Sequence, residues 1–268
     1  MENAAGWEPI VRVGVFLGVF ALMAAWEVTA PRRRLQHSRP RRWGTNWAIV
    51  MLDTGLVRLL FPLAAVGAAM DAQAQGWGLF NVLGAPFWLA FVLTLLAMDF
   101  AIWAQHLISH KVPALWRLHQ VHHADPDIDV TTAIRFHPVE IALSMVLKIG
   151  LVYALGAPAA AVVAFEIILN GMAMFNHANI RLSPGVDRWL RLVVVTPDMH
   201  RVHHSVHRHE HDANYGFNLS IWDRLFGVYI PQPEAGHDGM EIGLKPWRKG
   251  EPTGLWFSLT LPFRRLRG

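Results

Sequence analysis

Apolar positions gather along this chain into five stretches of membrane-spanning size: Pro9 to Val28, Trp47 to Met70, Ala85 to Trp103, Val139 to Leu155 and Ala157 to Phe175. The hydrocarbon core of a bilayer is crossed by roughly 17–25 residues of α-helix, so each stretch predicts a helix that crosses or enters it. The third is clear of charge from Pro86 to Met98. The second carries Asp53 and Arg58 near its start, which is tolerable where they face protein or the interface. The fourth and fifth are short, with Gly156 and Pro158 between them, and form either two crossings or a shallow re-entrant hairpin. From Ile180 onward the chain is more polar and holds no further spanning segment. The pattern predicts an all-α integral membrane protein with four to five transmembrane helices.

Composition agrees: 53% of the 268 residues are hydrophobic and only 16% charged, too apolar for an ordinary soluble domain. The amino end lacks the positive region of a secretory leader, and a dense basic run follows the first stretch instead of a small-residue cleavage site, so that stretch is expected to stay as an anchor. The run comprises Arg32, Arg33, Arg34, Arg39, Arg41 and Arg42 and largely accounts for the net charge of +4. By the positive-inside rule it is cytoplasmic and the amino terminus lies outside. Such a run signals topology or touches lipid headgroups, and no nucleic-acid partner is expected. With no cysteine in the chain, an iron–sulfur cluster, a thiolate zinc site and a disulfide scaffold are excluded. There is no glycine-rich dinucleotide fingerprint, so redox chemistry would draw its electrons from a separate partner.

Histidine changes the picture most. Eight of the fifteen fall into His106-x3-His110, His119-x2-His122-His123 and His200-x2-His203-His204. Helix positions i, i+3 and i+4 share a face, so each set can aim two or three imidazoles at one point. Neutral imidazole ligates iron, zinc, copper and nickel, and eight such ligands in convergent sets suggest more than one metal ion. Counting crossings from the arginine run carries His106, His110 and His177 to the cytoplasmic interface and puts the last set in a cytoplasmic cap.

In addition the residues resemble the fatty acid hydroxylase and sterol desaturase superfamily of integral membrane oxygenases. The likeness covers about Asp99 to Tyr229: Asp99-x3-Trp103-x2-His106-x3-His110, the second set nine residues later, Arg135-Phe136-His137-Pro138-x-Glu140, Asn176-His177-Ala178-Asn179, Thr196-Pro197-Asp198-Met199-His200-x2-His203-His204-Ser205, Asn214-Tyr215-Gly216 and Trp222-Asp223-x2-Phe226-Gly227. The resemblance implies two iron ions (zinc being able to replace them in purified protein) held by His106, His110, His119, His122, His123, His177, His200, His203 and His204. It further implies dioxygen as co-substrate, two electrons from a separate reductase or other electron-transfer protein, and hydroxylation or desaturation of a lipid C–H bond. Some relatives carry one more histidine a turn before the position of His177, where this chain has Ala173.

An all-imidazole shell leaves positive charge to be balanced, and ligating histidines usually donate their other N–H to a carboxylate or carbonyl. Asp99, Asp198, Glu210, Asp212 and Asp223 are acids near these sets in sequence that can fill that role. Asp99, two turns before His106, is the foremost candidate, with Asp198, Asn179 and Asp223 beside it. His137, before a proline, is expected to be structural, and His207, His209 and His211 to be solvated or to support the ligands. Three units follow: membrane helices with a basic cytoplasmic loop over 1–84, a catalytic domain over 85–232, and a tail over 233–268 along the bilayer surface. The lipid is expected to enter between the third and fifth segments, past Leu95, Phe165 and Met172. A zinc protease would need His-Glu-x-x-His, whereas Leu107 follows His106. A membrane metal transporter or sensor is the alternative. The expected setting is a bacterial inner membrane.

Overall fold

The computed structural model describes residues 4–247 and 251–264. Its main helices are α1 (Ala4–Thr29), α2 (Arg39–Leu60), α3 (Ala64–Gln75), the short α4 (Leu79–Val82), α5 (Phe87–Lys111), α6 (Pro113–His123), α7 (Pro138–Leu155) and α8 (Ala159–His177). Short helices α9 (Pro184–Leu190), α10 (Pro197–His203), α11 (Arg208–His211) and α12 (Ile221–Leu225) follow, and a 3₁₀ turn, Val130–Ile134, lies between α6 and α7. Among the described residues, five stretches are long and apolar enough to cross a membrane: Pro9–Thr29, Arg39–Val82, Phe87–Lys111, Pro138–Leu155 and Ala159–His177.

These helices bury a seam and expose the rest of their apolar surface. Met98, Met145, Val152, Val162, Phe165 and Met174 form the shared core, while Val13, Leu17 and Leu22 on α1, Phe87 and Trp88 on α5, and Val139 and Val146 on α7 stay exposed. Only lipid makes such a surface favourable. The second predicted segment is corrected in one respect. It does not run unbroken to Met70 but breaks at Phe61–Leu63 into α2 and α3, because Pro62 has no N–H to give the helix and its ring crowds the preceding turn. At 22 residues α2 is about 33 Å long and already spans the hydrocarbon. α3 and α4 then cover the far end of α7, where Gly156 (φ +66°) lies so close to the chain that an added Cβ would sit 2.6 Å from Trp77 O. Glycine is required there both for its left-handed backbone and for room.

At the other end the chain turns sharply. Pro113, Pro138 and Pro197 occupy the first turns of α6, α7 and α10, where the missing N–H costs nothing. The basic loop docks onto this end. Buried Arg42 donates to Asp125 Oδ1 (2.6 Å) and Asp129 Oδ2 (2.6 Å). Arg33 donates to His237 O and Met240 O, and Arg32 to Asp238. In the carboxyl-terminal segment Phe257 and Leu261 pack inward with Ile49, Val121 and Trp247, whereas Trp256 and Phe263 stay exposed.

Candidate metal centre

Four chain segments bring histidine to this end of the bundle. The last two turns of α5 present His106 and His110, and Pro113 then forces the preceding residue out of helical geometry and turns the chain back. α6 offers His119, His122 and His123 from its carboxyl end, α8 offers His177 as its last residue, and α10 supplies His200 and His203, with His204 as its cap. None of the nine is more than 4% exposed. They divide into two groups whose ring nitrogens lie within 4.8 Å of one another: His106, His110, His119, His123 and His203 in one, and His122, His177, His200 and His204 in the other.

Their hydrogen bonds show which nitrogen faces inward. Nδ1 of His106 pairs with Tyr215 O (2.7 Å), that of His203 with Ala213 O (2.7 Å), that of His177 with Ala173 O (2.7 Å), and that of His122 with Arg135 O (3.3 Å). A carbonyl can only accept, so each Nδ1 carries the proton and each Nε2 keeps a lone pair. His119 Nδ1 meets the Glu140 carboxylate at 2.6 Å. Inside, Nε2 of His106, His119, His123, His203 and His204 is buried without a protein partner. Nε2 of His177 lies 3.1 Å from that of His122 and 3.0 Å from that of His200. The lone pairs of His122 and His177 face each other and repel, and buried acceptors without donors are costly. A cation bound by each group removes both penalties, so the residues fit a metal pair. Burial first, then the neighbouring imidazoles, pushes His122, His123, His200 and His204 well below the usual histidine range, and His203 likewise. Neutral rings are the form that ligates.

The predicted supporting groups bond partners other than the rings. Asp99 accepts from Trp222 Nε1 (2.8 Å) and reaches no ring nitrogen; seven residues of helix put it about 10 Å up the axis from His106. Asp198 pairs with Arg201 and lies near Arg32 and His237. Asn179 clamps the backbone of Arg33 through both side-chain atoms. Asp223 accepts from the N–H groups of Tyr215 (2.8 Å) and Gly216 (3.0 Å) and from Trp103 (2.9 Å). It therefore steadies the peptide whose carbonyl holds His106. His137 caps α7 by accepting from Val139 N. The residue that sequence reasoning passed over is Glu140: it stood inside a recognised block without a role, and only the approach of α7 to α6 brings it to His119. At the departure from the family pattern, the buried Ala173 contributes its carbonyl to His177. His209 is exposed beside Glu234, whereas His211 is buried against the five-histidine group.

A helical membrane bundle closed at one end by neutral histidines is the frame of a membrane metalloenzyme. The model of the fatty acid hydroxylase family matches residues 91–228, half of the chain, and the chain belongs to that family. It is an oxidoreductase of the hydroxylase class. Among curated proteins it is 28% identical to the ornithine lipid hydroxylase OlsE of Rhizobium tropici, over 94% of this chain and 75% of that one. It is 28% identical to the alkylglycerol monooxygenase of Xenopus tropicalis over 70% of this chain and 33% identical to the human one over 60%. The chain spans 42% and 35% of those two proteins. No solved structure matches it.

Proposed function

We propose that the chain is a di-iron hydroxylase of a membrane lipid, with one ion held by His106, His110, His119, His123 and His203 and the other by His122, His177, His200 and His204. The observation that carries this reading is the division of nine buried imidazoles into two groups with their lone pairs turned inward. Bound there, an iron pair supplies activation of dioxygen: with two electrons and two protons, one oxygen atom enters a C–H bond and the other leaves as water. The chain does the rest. Carbonyls of Tyr215, Arg135, Ala173 and Ala213 hold the ring tautomers, Glu140 offsets positive charge at His119, and burial keeps bulk water from the reacting end.

The lipid's chain enters from the bilayer along the seam of α5 and α8, where Leu95 and Phe165 belong to the core and Met172 is half-buried. Electrons come from a separate reductase. The arginine loop docks at the histidine end, and the positive-inside rule applied to that loop supports a cytoplasmic active site. Likeness to a bacterial protein over nearly the whole chain supports a bacterial inner membrane as its setting. The relatives' names make aminolipids and ether lipids the first substrates to try.

The test is turnover under isotopically labelled dioxygen. Iron-loaded protein with a reductase system is given a lipid panel, and products are weighed by mass spectrometry. A labelled alcohol is the expected product. Loss of two hydrogens without label would make the chain a desaturase, and no oxidation of any lipid under electron supply would remove the reading.

A further inference from the structure

Beside the two groups, and sharing His110 with the first, a third set of side chains among the described residues has the makings of a ligand site. Ring nitrogens of His110 and His211 and a carboxylate oxygen of Asp212 lie within 4.8 Å of one another. His211 is 8% exposed, and its Nδ1 meets Ser205 O at 3.1 Å. That is the device that fixes His106, His177 and His203, and it leaves Nε2 with a free lone pair. Trp116 stacks on the ring (5.3 Å, 21°) and holds its plane. The Asp212 side chain, 17% exposed, puts Oδ1 3.5 Å from His110 Nδ1. The ligands whose Nδ1 partner is defined point Nδ1 at a buried carbonyl or at buried Glu140. His110 differs: its Nδ1 is buried with no hydrogen-bond partner, and it faces a carboxylate that touches solvent.

We propose that His211, Asp212 and His110 form a transit site through which divalent metal enters the buried centre; this rests on the metal-centre reading above. A centre whose nine ligands are almost wholly buried needs a way in. His110 belongs both to this set and to the five-histidine group, so a hydrated cation caught at Asp212 and His211 already touches a final ligand. Two neighbours keep the site from retaining it. Lys111 Nζ lies 2.9 Å from Asp212 Oδ2, and Arg208 Nε, on a side chain 81% exposed, lies 3.4 Å away. Both oppose a resident cation and yield to a passing one.

The experiment follows cobalt(II) binding to chelator-stripped, full-length protein in detergent, by stopped-flow absorbance and by equilibrium metal analysis. Wild type, His211→Ala, Asp212→Asn and the exposed control His209→Ala are compared. The transit site predicts uptake slowed about tenfold in His211→Ala and Asp212→Asn, unchanged in the control, with the same final two cobalt per chain. Unchanged uptake rates would overturn it. Loss of one equivalent at equilibrium would overturn it too, by making His211 a resident ligand. Asp212→Asn keeps shape at a partly exposed position, so it reads the rate even if His211→Ala does not fold. Wild type that takes up no cobalt would count instead against the centre itself.

Discussion

The two histidine groups share one chemistry and differ in what stands behind it. The five-histidine group leans on a carboxylate, Glu140 at His119, and borders Asp212, which reaches solvent. The four-histidine group is held, where partners are defined, by the carbonyls of Arg135 and Ala173, and none of its rings exceeds 1% exposure. One group therefore has anionic compensation and a neighbour that touches solvent, while the other is neutral and enclosed. Two ions of the same element in these surroundings should differ in affinity and in rate of exchange.

The strongest way to break that contrast is to remove a ligand from the enclosed group. His177→Ala should abolish lipid turnover, exceeding the roughly 10–100-fold cost of losing an outer partner, and metal analysis should find one ion lost and the other kept. Next comes the carboxylate. Glu140→Gln keeps the shape beside His119 but removes the charge, so it should weaken one ion by about 10–100-fold in a competition titration and leave the other unchanged. Chelation follows: stripping both ions should lower the thermal midpoint in detergent, since a ligand at a hundred times its Kd contributes about 2.7 kcal/mol. Asp99→Asn should matter least to the metals. Its carboxylate serves Trp222, so a stability cost of about 1 kcal/mol with unchanged metal content is expected.

A pH effect belongs to Asp223. Burial pushes its carboxyl up to about 6, against the hydrogen bonds from Trp103, Gly216 and Tyr215. Because the folded value lies above the unfolded one, this group's stabilisation is complete below the ordinary 3.8 and is lost as pH rises through about 6. Thermal midpoints of wild type should accordingly gain on Asp223→Asn as pH falls through that window, and parallel curves would contradict the assignment.

Much of this was legible in the chain because it depends on local periods. Spans show as length, and ligand sets show as i, i+3 and i+4 spacings that a helix converts directly into a shared face. What depends on how helices meet was not. Adjacent residues His122 and His123 serve different groups, a division that only α8 and α10 closing on α6 can make. Asp99 shares a helix face with His106 but stands two turns away, whereas Glu140, on another helix, arrives at bonding distance. Arg42 sits in a basic run that reads as a topology signal in the sequence, yet it is fully buried between Asp125 and Asp129, a pairing no charge count reveals.

The most direct test is metal content of detergent-purified protein grown with iron, measured for wild type beside His177→Ala and His203→Ala, one ligand from each group. Two metals per chain, largely iron, falling to one in each variant, are predicted. One metal or none in wild type, unchanged by either substitution, would contradict the paired centre and return the chain to metal transport or sensing.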